Sequence, residues 1–326
     1  MTKKIFLTKS AGFFAIVFLI SLAIESYLDN SNFPQFNELK SSLENKTKII
    51  YFGDSTMRWA GINDTDKRPI GIMLQDIRNS PVTVISSNAY HLGVYEQFSS
   101  YICNSQNKPE VVIFPINLRS FSPEWDTRPQ YQFDDQIRQI RTSNNPISNL
   151  RERFFRVFGG KQEGQNEILW KNQIVYYNTT PVGKVIDFNF KMTERDTDIE
   201  QKIRKKFIYQ YLYNLNSTHR KLASLNKTIN NYKNCGVKPI IYITPIDYQN
   251  GAKYLGQSFT EIVDNNIQVI LSVGKENLMQ INDLSFSLDS KYFTYYLNPS
   301  EHLDQYGRKF IAENISKEAE NLLNMV

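Results

Sequence analysis

Beyond residue 47, apolar and polar positions fall into blocks that repeat along this 326-residue chain. Five short blocks are continuously apolar: Ile49–Phe52, Val82–Ser86, Val111–Ile116, Ile240–Thr244 and Leu284–Leu288. A strand reads this way, without period-two alternation, when both its faces are covered. Between the blocks lie segments with helical spacing, which predict helices over roughly 67–79, 93–105, 204–234, 258–275 and 303–324. The last is the clearest, because Leu303, Tyr306, Phe310, Ile311, Ile315, Ala319, Leu322 and Leu323 step by threes and fours onto one face. Cys235-Gly236-Val237-Lys238-Pro239 reads as a helix stop followed by a strand start. Alternating strands and helices predict an α/β domain over 47–326, its parallel sheet covered on both sides and its crossovers right-handed. Residues 126–200 break the alternation. They are polar, aromatic and charged, with helical pieces near 133–158, and are expected to form a partly helical insertion between the third and fourth strands. Residues 28–46 are polar and read as a linker or a solvated first helix.

The N-terminus follows a different pattern. Lys3, Lys4 and Lys9 precede an uncharged, mostly apolar run from Ala11 to Ile24. That run is short of the roughly 20 residues of a full span. Ile5, Phe6 and Leu7, with Lys9 snorkelling, extend it to nearly that length. Ala23-Ile24-Glu25 makes a poor cleavage site. The expectation is therefore an uncleaved signal anchor over 1–27, transmembrane at about 8–26. Its lysines would face the cytoplasm and the rest of the chain would lie outside, membrane-anchored and single-pass.

Composition narrows the partners. Lys and Arg number 38 against 33 Asp and Glu, a formal charge of +5, and three of those lysines lie in the first nine residues. No basic stripe points to nucleic acid. Cys103 and Cys235 have neither CxxC nor metal-ligand spacing, and a disulfide and two buried free thiols both remain open. No Gly-rich phosphate loop occurs, and neither a metal nor an organic cofactor is implied.

Candidate chemistry collects at predicted strand ends. Gly53-Asp54-Ser55 follows the first strand, so Ser55 stands outside the carboxyl end of a strand, where α/β proteins present reactive groups. It is a nucleophile candidate there, although serine is also a preferred helix N-cap. Asn117 follows the third strand and is placed to donate to an oxyanion. The backbone N–H of Ser55 and one from Ser87-Asn88-Ala89, after the second strand, would complete that hole. His302, in the polar loop before the last helix, is the best of three histidines for a base. His91 reads as a helix-start residue; Arg119 and Trp125 could line a sugar subsite or pack the insertion, and packing is the favoured reading.

Gly53-Asp54-Ser55, Asn117 and His302-Leu303-x-x-x-Gly307 together resemble the sequence blocks of the SGNH (GDSL-type) hydrolase superfamily, over roughly 47–120 and 237–324. The resemblance implies a flavodoxin-like three-layer α/β/α sandwich with a mostly parallel five-stranded sheet, and ester hydrolysis or acyl transfer through a serine acyl-enzyme. It makes Ser55 the nucleophile, His302 the base and Asn117 an oxyanion donor, with Ala89 supplying a backbone N–H. An anchored member is similar to those that work beside membrane-bound O-acyltransferases on acylated envelope polysaccharides. Two positions depart from the pattern. Pro299 stands where the family has Asp, three residues before the histidine, which leaves Asp289 as a candidate acid to orient His302; Glu301 is adjacent in sequence and is expected to point elsewhere. Ala89 stands in the loop where the family offers a glycine. The alternative is a weak or inactive SGNH-fold protein that binds polysaccharide or docks on a membrane-bound O-acyltransferase.

Overall fold

The computed structural model describes residues 12–20, 33–143, 164–186, 197–294 and 301–323. Strands β1 (Ile49–Gly53), β2 (Thr83–Ser86), β3 (Val111–Ile116), β4 (Lys238–Ile243) and β5 (Ile281–Asp283) make one sheet in the order β2-β1-β3-β4-β5. Every pairing is parallel. The helices are α1 (Pro34–Glu44), α2 (Ser55–Arg58), α3 (Ile70–Arg78), α4 (Leu92–Asn104), α5 (Pro123–Thr127), α6 (Asp134–Ser143), α7 (Gln165–Lys171), α8 (Asp198–Tyr211), α9 (Arg220–Cys235), α10 (Tyr248–Leu255), α11 (Gln257–Glu276) and α12 (Gln305–Leu323).

Successive strand residues face opposite ways, so each central strand feeds two cores. Ile50 and Phe52 of β1, with Val112 and Phe114 of β3, join the core beneath α4, α9 and α11. Ile49 and Tyr51, with Val111 and Ile113, join the core beneath α3 and α12. This double burial is why the strand sequences run continuously apolar. The strand order reverses between β1 and β3, and that switch point opens a crevice above the carboxyl ends of the two strands. Cys103 and Cys235, at the ends of the packed helices α4 and α9, form a disulfide.

Three expectations are corrected. The stretch read as a linker or solvated helix contains α1, and its Phe36, Leu39 and Leu43 are buried against the core. The fifth strand is Ile281–Asp283, upstream of Leu284–Leu288. There the chain turns as Asp283 Oδ1 accepts from Ser285 N (3.0 Å), and Leu288 packs into the α3/α12 core instead of continuing the strand. The expected helix 204–234 is two helices, α8 and α9. Asn266 of α11 makes the break stable: it accepts from Leu215 N (2.7 Å) and donates to Tyr213 O (2.7 Å). His219 then caps α9 by accepting from Lys221 N (3.2 Å). A single helical turn, α2, begins at Ser55.

Of the expected span at about 8–26, only residues 12–20 are described, as a helix with exposed Phe13, Phe14 and Leu19. Among the described residues, no helix is long and apolar enough to cross a membrane. The expected helical pieces beyond residue 143 and the Pro299 position lie outside the described residues.

Candidate active site

Gly53 ends β1 without a side chain for a steric reason. A Cβ there would lie 1.8 Å from Met57 Sδ, and Met57 is fully buried. The chain can therefore turn tightly, with Asp54 Oδ1 accepting from Thr56 N (2.8 Å) and Thr56 Oγ1 (2.6 Å). This turn carries Ser55 to the rim of the crevice.

His302 arrives from the other side. A short antiparallel bridge fixes its backbone: Thr294 N donates to His302 O (3.1 Å), and Asp304 N donates to Tyr292 O (2.8 Å). The fully buried Arg308 ties the two approaching loops together, reaching Leu303 O (2.9 Å), Trp59 O (3.4 Å) and the Asp64 carboxylate (2.7 Å). The outcome is a distance of 3.0 Å between His302 Nε2 and Ser55 Oγ.

A buried polar chain runs beneath this pair. Asp54 Oδ2 accepts from Asn117 Nδ2 (2.6 Å) and Arg119 Nη2 (3.3 Å). Arg119 Nη2 also lies 3.5 Å from Ser55 Oγ. Glu301 packs on the far side of Arg119, accepting from Arg119 N (3.3 Å) and Tyr211 OH (3.3 Å). Thr244, just past β4, bridges Asn117 Oδ1 (2.8 Å) and Glu301 Oε2 (3.0 Å) through its hydroxyl. One cation thus sits between two buried carboxylates.

The charges shape the titrations. Burial, reinforced by the Arg119 cation, pushes His302 down to about 4, against the opposing pull of Asp54. The imidazole is therefore neutral at pH 7 and can accept a proton. Burial raises Glu301 to about 7 despite Arg119. Burial opposes the charge on Arg119 itself, but Glu301 and Asp54 outweigh it and raise its pKa.

The structure sorts the sequence candidates. Ser55 and His302 meet. Ala89 lines the cleft at φ 64°, a left-handed conformation that costs a Cβ-bearing residue about 1–2 kcal/mol. Glycine would be unstrained there. Asn117, expected as an oxyanion donor, is buried off the cleft wall, and its amide is turned to Asp54 and Thr244. It anchors Asp54, the residue before Ser55. Asp289, expected as a His-orienting acid, is 54% exposed. Its described partners are Gln249 Nε2 (3.0 Å) and Lys291 Nζ (3.9 Å). Glu301 points into the interior, as expected. His91 caps α4, accepting from Gly93 N (3.0 Å) while Nε2 donates to Tyr131 O (2.9 Å).

Arg119 and Trp125, read as packing, are instead in the cleft wall. The cleft has a volume of about 680 Å³ and is lined by Ser55, His302 and Trp59, the Asn88-Ala89 loop, and residues of α5 and α8. Among the described residues, no group of three or more His, Cys, Asp or Glu side chains is arranged to hold a metal ion.

No family model matches the chain, and no curated protein matches it. Solved structures with weak overall similarity include Axe2, an acetylxylan esterase from Geobacillus stearothermophilus, at 12% identity over 83% of this chain and 93% of that one, TM-score 0.38. Est24, a carbohydrate acetylesterase from Sinorhizobium meliloti, is 9% identical over 85% of this chain and 99% of that one, TM-score 0.36. A lipolytic protein of the G-D-S-L family from Desulfitobacterium hafniense is 11% identical over 83% of this chain and 98% of that one, TM-score 0.37. The functional reading below stands on the site's own geometry.

Proposed function

We propose that this chain is a serine-dependent esterase or O-acyltransferase of SGNH type, acting on acyl esters of a carbohydrate. The observation that carries the reading is the 3.0 Å contact of His302 Nε2 with Ser55 Oγ at the switch point of a parallel sheet. Ser55 Oγ attacks the ester carbonyl while His302 Nε2 takes its proton. The tetrahedral oxyanion is met by the N–H groups of Ser55 and Ala89 and by the Arg119 guanidinium. Among the described residues, no acceptor pairs with either of those N–H groups. Collapse expels the alcohol, which leaves with the proton from His302, and Ser55 keeps the acyl group. Water then yields an acid; a sugar hydroxyl yields a new ester.

We further propose that the catalytic domain is extracytoplasmic and held to the membrane by the N-terminal segment, where a membrane-bound O-acyltransferase is a fitting partner. Pairing of Cys103 with Cys235 suits an oxidising compartment.

The test is labelling by a serine-reactive fluorophosphonate together with turnover of p-nitrophenyl acetate. Wild type is expected to show both and Ser55→Ala neither. Labelling that persists in Ser55→Ala overturns the assignment. The burial of His302 beside the Arg119 cation favours a second reading, a protein that binds glycan without turning it over, because both weaken the imidazole as a proton acceptor. Wild-type protein that takes no label would support that reading.

A further inference from the structure

The cleft beside Ser55 is lopsided in charge. Arg119, Arg128, Lys202, Lys205 and Lys206 line it, and the one acid among its lining residues, Glu124, is paired with Arg128. The lysines come from α8, where positions 202, 205, 206 and 209 recur at helical spacing and so share one face. The opposite face buries Ile203, Phe207 and Ile208 in the core, which fixes the cationic stripe toward the cleft. Lys202 and Lys205 are exposed, and Lys205 Nζ lies over the Tyr209 ring at 5.4 Å. Arg119 is held between Asp54 and Glu301 and Arg128 is paired with Glu124, so Lys202 and Lys205 of α8 carry the excess positive charge of the groove.

The same groove carries aromatic faces and unspent polar atoms. Trp59 is 48% exposed at the mouth, its ring 6.2 Å from that of His302. Trp125 stacks on Tyr131 (4.3 Å between centroids), with the Arg119 guanidinium 5.0 Å from the Trp125 ring. Trp125 Nε1 and Gln210 Oε1 are buried at the cleft wall with no hydrogen-bond partner among the described residues. Buried polar atoms are normally paired, so a donor and an acceptor left over in one cleft point to a ligand that pairs them.

We propose that this cleft binds an anionic carbohydrate, so that the acyl ester presented to Ser55 is carried on a negatively charged glycan. Lys202 and Lys205 meet its anionic groups, Trp59 offers a ring face for a sugar, and Trp125 Nε1 and Gln210 Oε1 meet its hydroxyls. The proposal deepens the reading of Ser55 as a nucleophile and rests on it for the word substrate, but binding can be measured without turnover. The negative group is a carboxylate or a phosphate, since lysine ammonium groups serve either as point charges.

The experiment is calorimetric titration of the full chain carrying Ser55→Ala with three probes: oligogalacturonate, an oligomer of glycosylated glycerol phosphate, and neutral xylo-oligosaccharide. At least one anionic probe is expected to bind about tenfold or more tightly than the neutral one, and the tighter of the two names the anion. Raising salt from 50 to 200 mM should weaken that binding severalfold. Lys202→Ala/Lys205→Ala, a change at two exposed positions, should weaken it about tenfold, with unfolding midpoint unchanged. Equal binding of neutral and anionic probes overturns the proposal, as does anionic binding that is indifferent to both lysines. Fluorophosphonate labelling of the wild-type chain reports separately on Ser55, so the two readings fail independently.

Discussion

Arg119 Nη2 stands 3.5 Å from Ser55 Oγ while the same side chain is held between the buried carboxylates of Asp54 and Glu301. A guanidinium fixed in this way costs no reorganisation when an oxyanion forms beside it. It also depresses the basicity of His302, so in the proposed reaction one residue would both supply charge to the intermediate and restrain the base.

Replacing Arg119 should therefore separate two effects. Arg119→Gln is expected to lower kcat toward p-nitrophenyl acetate by about 10²–10³, the scale of one lost oxyanion donor. It should also let His302 rise from about 4 toward its ordinary value, because a neighbouring cation has gone. The acid limb of kcat/KM would then move to higher pH. A kcat/KM profile from pH 3.5 to 8 on both proteins checks this; an unmoved acid limb speaks against the coupling.

Glu301 sets a slope in stability against pH. Its folded pKa, about 7, lies above its ordinary 4.5, so the folded chain holds this proton more tightly. The contribution is complete below pH 4.5 and is lost as pH rises through 7. His302 slopes the other way: its depressed pKa removes stability as pH falls from 6.5 toward 4. Glu301→Gln deletes only the first slope. Relative to wild type, the variant should gain on the order of 3 kcal/mol between pH 4.5 and 8, read from urea unfolding at both pH values.

The disulfide should be a large contributor. Cys103 and Cys235 are 132 residues apart, and closing a loop of that length disfavours the unfolded chain by about 5 kcal/mol in the chain-entropy description. Cys103→Ser/Cys235→Ser should lower the urea midpoint accordingly. A reducing agent should shift the wild type toward the variant and leave the variant unmoved.

The turn before Ser55 can be tested by paired substitution. Gly53→Ala sets a Cβ against buried Met57 and should destabilise the chain by about 1–3 kcal/mol. Gly53→Ala/Met57→Ala removes the clashing sulfur, so the two changes should be non-additive. Additive losses in thermal unfolding would mean that the two residues do not share this contact.

Ala89→Gly keeps the backbone N–H at the cleft and removes the left-handed penalty of about 1–2 kcal/mol, against roughly 0.4–1 kcal/mol of added freedom in the unfolded chain. Stability should be unchanged or slightly higher, with fluorophosphonate labelling retained. A loss of labelling would assign the alanine methyl a role that its N–H does not explain.

By itself the sequence determined four of the five strands and that the sheet is parallel and covered on both faces. Runs such as Val111–Ile116 are apolar at every position because both faces are covered, and that property is written locally. It likewise put Ser55 and His302 at strand and helix boundaries on one edge. It misread what depends on partners far along the chain. Polar 28–46 hid α1 because three apolar residues suffice to bury one helical face. The break between α8 and α9 is held by Asn266, on another helix. Only the tertiary structure decided that Asn117 serves Asp54, that Asp289 is engaged with Gln249 and Lys291, and that Arg119 faces Ser55. The direction of a polar side chain at a strand end is settled by which buried partner satisfies it. Those partners, Asp54, Thr244 and Glu301, come from three separate parts of the chain.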